Sequence, residues 1–138
     1  MAAKITDNGR THVGERFQNS LTAAAVTKTF GAIEIGTGVT AATVSDTGIE
    51  TALATGGRVA CTAGWPKIVT LAGGPAIEYK ATFAAGTFTT GTAITEAAVR
   101  ETVGTPGQCF GRGILDTAKN PTASEPLDIT IQFPIVAV

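Results

Sequence analysis

The sequence predicts a mainly β domain: an antiparallel β-sandwich or barrel-like fold, with one short helix at about 45–53 and an extended N-terminal arm. Three observations carry that prediction. Apolar and polar residues alternate in several short runs, most clearly over 77–83 and 127–135. Turns built on glycine and proline separate the runs at near-regular spacing. Two dozen threonines, nearly as many alanines and 17 glycines among 138 residues favour small, β-compatible side chains over the usual mix of charged and reactive ones.

Residues 1–20 are polar, carry charges of both signs and hold no sustained period, which predicts an extended or irregular leader ahead of a single β domain at 21–138. Residues 27–36 are rich in β-branched side chains and end at glycine, so they predict a strand in spite of Gly31. Residues 40–53 change character. Ser45 or Asp46 can cap a helix, Glu50 lies three residues beyond Thr47 in capping-box spacing, and Ile49 and Leu53 stand one turn apart. Gly56 and Gly57 would stop such a helix.

From Arg58 the period is two. Residues 58–62 and 67–71 flank Gly64-Trp65-Pro66, and Gly73-Gly74-Pro75 makes the next turn. Ile77, Tyr79, Ala81 and Phe83 then alternate with Glu78, Lys80 and Thr82, the pattern of a half-buried strand. Residues 87–92 fit strand or turn. Residues 94–101 fit a helix by propensity, but their length and β neighbours suit a strand at least as well. Residues 109–115 predict a strand weakened by Gly111 and Gly113, and Leu127, Ile129, Ile131, Phe133 and Ile135 predict a closing strand. Pro134 places the far end of that strand at a sheet edge or past the last ladder bond. Six or seven strands sharing one core follow, with no internal repeat or dividing linker.

The chemistry offered is sparse. The formal net charge is −1 and the ten basic residues are scattered, which argues against a nucleic-acid partner, since tracking phosphates takes clustered positive charge. No apolar run approaches the length of a membrane span, and the first residues lack the apolar core of a signal peptide, so no membrane partner is expected. Cys61 and Cys109 are too few and too far apart for a CxxC-type zinc site. Free thiols or a disulfide between facing strands are the two readings, and a reducing compartment favours thiols.

His12, the sole histidine, lies in the polar leader and reads as a solvated side chain, because a catalytic histidine needs a rigid scaffold and an orienting partner. Glu78, Glu96, Glu101, Asp116 and Asp128 lie in or beside strands and read as outward-facing, solvated carboxylates. Gly36-Thr37-Gly38 and Gly111-Arg112-Gly113 do not continue into a phosphate-binding fingerprint and read as turn glycines. No catalytic residue, cofactor or metal site is expected. Trp65, between glycine and proline, reads as an exposed stacking platform, a core residue or a subunit contact. With Arg10, Arg16 and Phe17 of the leader it forms the candidate interaction surface. Flat, neutral, threonine-rich strands invite association.

The order of three motifs brings a family into view. Residues 35–50, reading IGTGVTAATVSDTGIE, resemble a segment of small tailed-bacteriophage virion proteins in which a strand ends in IGTG and a capped helix follows. Ile94-Thr95-Glu96-Ala97-Ala98 is similar to their ITEAGL stretch, with Ala98-Val99 in place of Gly-Leu, and residues 127–133 resemble their closing L-x-I-x-I strand. The resemblance covers roughly 30–138. It implies a non-enzymatic structural component of the virion, either a capsid decoration (cement) protein or a tail or tail-fibre component binding a host surface glycan. One domain of this length without a coiled coil or fibrous repeat favours the decoration protein. The partners expected are the major capsid protein and copies of the chain itself, as a homotrimer, with the leader as the contacting arm.

Overall fold

The computed structural model describes residues 2–22, 29–53, 55–88, 91–101 and 107–135. Along the chain run β1 (Ala2–Ile5), α1 (Asp7–Thr22), β2 (Phe30–Gly36), β3 (Arg58–Ala60), β4 (Lys67–Leu71), β5 (Gly74–Phe83), β6 (Ile94–Glu101), β7 (Cys109–Lys119) and β8 (Leu127–Pro134). They form two sheets, ordered β1-β7-β6-β2-β3 and β4-β5-β8. Every pairing is antiparallel, and β4 and β5 are joined directly by a two-residue turn. The fold is the mainly β, sandwich-like domain expected.

The core lies between the sheets. Ile33 and Ile35 of β2, Ala97 and Val99 of β6 and Phe110 of β7 meet Tyr79, Ala81 and Phe83 of β5 and Ile129, Ile131 and Phe133 of β8. The Phe110 ring is the hub, with centroids 5.3 Å from Phe133, 5.6 Å from Phe30 and 5.7 Å from Tyr79. Each large side chain so buried contributes about 1.5–3 kcal/mol of transfer free energy. Register slips between Val99 and Arg100, where Val99 faces Gly111 and Arg100 faces Cys109, so Phe110 is the extra residue of a bulge. Gly111 beside it leaves room for the Phe133 ring, which a Cβ there would strike.

Three expectations are overturned. The segment expected as an irregular arm is built into the domain from Ala2 onward: Ala2–Ile5 pairs with β7, and a helix begins at Asp7. Thr6 caps that helix, its hydroxyl accepting from the Gly9 amide at 3.1 Å while it donates to the carbonyls of Cys109 and Phe110. The segment docks because Gly9 presses against the Phe110 carbonyl, where no side chain fits. The His12 ring is buried edge-on against Phe30 at 4.6 Å, so it is not solvated.

The helix expected at 45–53 does not form. Thr43 and Asp46 close a turn, the Asp46 carboxylate accepting from the Thr43 amide and hydroxyl, each at 2.8 Å. Glu50 does not reach back to Thr47. It accepts instead from the Thr40 amide at 2.8 Å and hydroxyl at 2.6 Å. Residues 37–53 lie as a loop over the outer face of the five-stranded sheet, joined to the end of β2 by a Gly36–Ala52 bridge and a Thr37-to-Thr51 backbone bond of 3.0 Å.

Candidate functional site

The loop rests on a cluster of charged side chains projecting from the outer face of the large sheet. Alternation places Glu34 of β2, Glu96 and Arg100 of β6 and Arg112 of β7 on this face, opposite the core positions. Glu96 is completely buried, and Arg112 is only 3 % exposed. A buried carboxylate persists only when its lone pairs and charge are answered, and Glu96 is answered fully. The amides of Gly38, Glu50 and Thr51 donate to it at 2.9, 3.1 and 2.8 Å, and Arg112 Nε donates at 2.8 Å. Three of these four donors belong to the loop, so Glu96 is the post to which the loop is tied.

Arg112 spreads its remaining donors over the same loop. Nη1 meets Asp46 at 2.7 Å, while Nη2 donates to the Thr40 carbonyl at 2.8 Å and lies 3.4 Å from Glu50. Burial works against the Arg112 cation, but its bonds to Glu96 and Asp46 outweigh that and raise its pKa above the ordinary arginine range. Burial likewise works against ionised Asp46, yet the Thr43 amide, Arg112 and the Thr43 hydroxyl hold its carboxyl below the usual range. Thr40 lowers Glu50 through both its hydroxyl and its amide. Beside them Arg100 donates to the Thr47 carbonyl at 2.7 Å and forms an ion pair with Glu34 at 3.2 Å, and Glu34 also meets Arg58 at 2.9 Å.

A cavity of about 500 Å³ opens within this cluster, lined by Glu34, Asp46, Glu50, Arg100 and Arg112 with the intervening loop. Across the whole cluster four carboxylates, of Glu34, Asp46, Glu50 and Glu96, face the guanidinium groups of Arg58, Arg100 and Arg112, and each guanidinium is engaged with carboxylates or loop carbonyls. The arrangement clamps a loop. Among the described residues no group of three or more histidine, cysteine, aspartate or glutamate side chains is placed to hold a metal ion. No protein-family model, curated protein or solved structure matches the chain.

Of the four residues expected to form an interaction surface, Arg10 and Trp65 line different cavities. Arg10 is exposed on α1, 3.9 Å from Asp7, and lines a cavity with Lys4, Val44 and Pro134. Arg16 and Phe17 belong to α1, but their side chains lie outside the described residues. Trp65 is half-buried. Its Nε1 donates to Glu78 at 2.9 Å, and the Lys67 ammonium sits 3.9 Å from its ring centroid. Those contacts tether the ring at its edge and beneath the Lys67 ammonium. The Trp65 and Gln132 bonds, with Lys67 and Lys80 nearby, hold Glu78 below the usual carboxylate range. Trp65 does share an apolar crevice of about 440 Å³ with His12, Val13, Phe30, Ile77 and Tyr79.

Of the strand carboxylates expected to be solvated, Glu96 is the opposite. Its burial, and the whole Glu96–Arg112 cluster, escaped sequence reasoning because charge on a strand reads as a wet face. The glycines gave the available signal. Gly38 would place a Cβ 2.5 Å from both Glu50 and Glu96, and Gly48 packs on the Arg100 guanidinium, so these are glycines of close approach rather than turn formation. Cys61 and Cys109 are both free thiols. Cys109 is fully buried, which pushes its pKa up to about 11, and burial raises Cys61 as well.

Proposed function

We propose that the chain is a non-enzymatic structural protein of a phage virion, a capsid decoration protein that binds the outer shell and stabilises it. The observation carrying the structural half of this reading is the Glu96–Arg112 clamp: the densest charged cluster is turned inward to fix a loop. The virion half rests on the ordered resemblance of residues 35–50, 94–98 and 127–133. The mechanism is mass action, since a partner that binds only the assembled shell adds its binding free energy to that state. The partners are the major capsid protein and further copies of the chain.

The contacting arm changes character. With β1 and α1 built into the domain, the N-terminal segment presents a helix face and the Arg10 cavity to the shell rather than a free tail. A tail-fibre adhesin is less well supported, because the Trp65 ring expected to stack on a glycan is already held by Glu78 and Lys67. The deciding measurement is copy number per particle by quantitative gel of the source virion. Many copies spread over the head support decoration; few copies confined to the tail would overturn it.

A further inference from the structure

The sheet edges are not equally guarded. Monomeric β proteins protect exposed edges with short strands, prolines, bulges or inward charges. Here β1 has four residues, β3 has three and opens on Arg58, and β8 ends on Pro134 beside β1. β4 carries such devices only at its opening, Pro66 and Lys67; over Ile68–Leu71 it is uncharged and holds unbroken register with β5. Among the described residues no strand pairs its outer side.

The direction of its free backbone groups follows from β5. Thr70 faces Pro75, which has no amide to offer, and the Pro75 carbonyl accepts from Ile135 on the far side at 2.9 Å. Thr70–Pro75 is thus a non-hydrogen-bonded pair, as is Ile68–Ile77 two residues on. The amides and carbonyls of Ile68 and Thr70 therefore point outward. On the core-facing side, Ile68 overhangs the edge and is 62 % exposed although it stands beside Ile77.

The geometry points to a second copy of this chain as the occupant, pairing β4 against β4 antiparallel about a two-fold axis through Val69. In that register Ile68 faces Thr70 of the other copy, and the two pairs exchange four backbone hydrogen bonds, satisfying every outward group of the strand. Lys67 faces Leu71, so no like charges oppose, and the Lys67 ammonium stays over its own Trp65 ring. Pro66, which has no amide, ends the ladder on one side, and the Ala72-Gly73 turn ends it on the other, with open space around Gly73. A different peptide would gain the same backbone bonds but not this symmetric match.

The pairing joins two three-stranded sheets into one of six. A strand of five residues spans only about 17 Å and buries well under the roughly 1,200 Å² of a stable interface, so the free dimer is weak and concentration-dependent. Arrayed copies would strengthen it through effective concentration. The homotrimer expected from the sequence would need another interface. This inference concerns the isolated chain and stands apart from the virion reading.

Sedimentation of the purified full chain from micromolar to millimolar concentration tests it. The parent should show a monomer–dimer equilibrium. Thr70→Pro removes the outward amide in both copies without touching a bond to β5, and should weaken dimerisation about 30-fold with the circular dichroism spectrum unchanged. Ile68→Lys should weaken it too, and Val69→Cys should oxidise to a disulfide-linked dimer mapped to residue 69 by peptide mass spectrometry. A parent that stays monomeric throughout, a dimer that Thr70→Pro leaves intact, or the absence of the residue-69 crosslink would overturn the proposal.

Discussion

Replacing Arg112 with leucine removes the cation shared by Glu96, Asp46 and Glu50 and leaves the fully buried Glu96 carboxylate with backbone amides alone. Breaking a buried pair on one side costs about 3–5 kcal/mol, because the surviving charge stays desolvated. That is a large part of the roughly 5–15 kcal/mol that holds a domain folded. At about 3–4 °C per kcal/mol for a chain of this size, the melting temperature should fall by about 10–20 °C. Arg10→Leu is the internal control. Its ion pair with Asp7 spans 3.9 Å with both side chains at least 60 % exposed, so the same change there should cost no more than about 0.5 kcal/mol. Urea unfolding, followed by the fluorescence of the single tryptophan and by far-ultraviolet circular dichroism, reads both variants with a test of two-state behaviour. The double variant Glu96→Leu/Arg112→Leu should cost at least about 1 kcal/mol less than the sum of the singles, since neither charge is then stranded. An Arg112→Leu cost within about 1 kcal/mol of that of Arg10→Leu would refute the claim that the loop is held by a desolvated charge cluster.

Alanine at two glycines should act in opposite directions. Gly38→Ala drives a Cβ to 2.5 Å from the Glu96 and Glu50 carboxylates and should destabilise by about 1–3 kcal/mol, whereas Gly14→Ala, in open space on α1, should stabilise by about 0.5–1 kcal/mol; thermal melts read both. Asp46, Glu50 and Glu78 have depressed pKa values in the folded state, so the unfolded chain binds protons more readily. Their contribution is present above the unfolded carboxylate range of about 4 and is lost as pH falls through the lower folded values, and Asp46→Asn should flatten that acid limb of a stability–pH curve. A thiol reagent at mild alkaline pH should modify half-buried Cys61 slowly and reach Cys109 only after denaturant is added; equal rates in the folded protein would contradict the burial of Cys109.

The strands were legible where one face is buried and the other wet. The odd-numbered residues Ile77–Phe83 and Leu127–Phe133 announced β5 and β8, and the observed register pairs them residue for residue. α1 was missed because residues 7–22 carry no apolar stripe and hold glycines at 9 and 14. The cap at Thr6 with Asp7 behind it was the readable sign, and His12, the buried anchor, is polar. The opposite error at 45–53 came from trusting local capping chemistry. Ser45, Asp46, Thr47 and Glu50 have the spacing of a helix start, but the Glu50 and Thr51 amides gain a buried carboxylate as acceptor, which outweighs a helical propensity difference of a few tenths of a kcal/mol per residue. Glu34, Glu96, Arg100 and Arg112 share one face through the register of β2, β6 and β7, of which the sequence reading marked only Glu96 as outward-facing. That the face is dry depends on a loop arriving from elsewhere in the chain, and no local pattern encodes that arrival.

The surplus of glycine, alanine and threonine takes its meaning from the same loop. β6 is buried on both faces although it is not apolar on both, with Ala98 standing between Glu96 and Arg100 under the loop and Ala97 and Val99 in the core. A larger side chain at Ala98, Gly36, Gly38 or Gly48 would lift the loop away from the sheet, let water reach Glu96 and loosen the grip of Arg112. Small residues here set the distance at which a charged face can be roofed by backbone. The roof is built largely from loop amides, and its outer side chains at Thr40, Ala41, Thr43, Val44 and Ser45 stay small and uncharged, with Glu50 the carboxylate that remains exposed among them. Inward charge and a sparsely charged exterior are two consequences of one local geometry, and such a surface can pack against a neighbour while stripping water from few fixed charges.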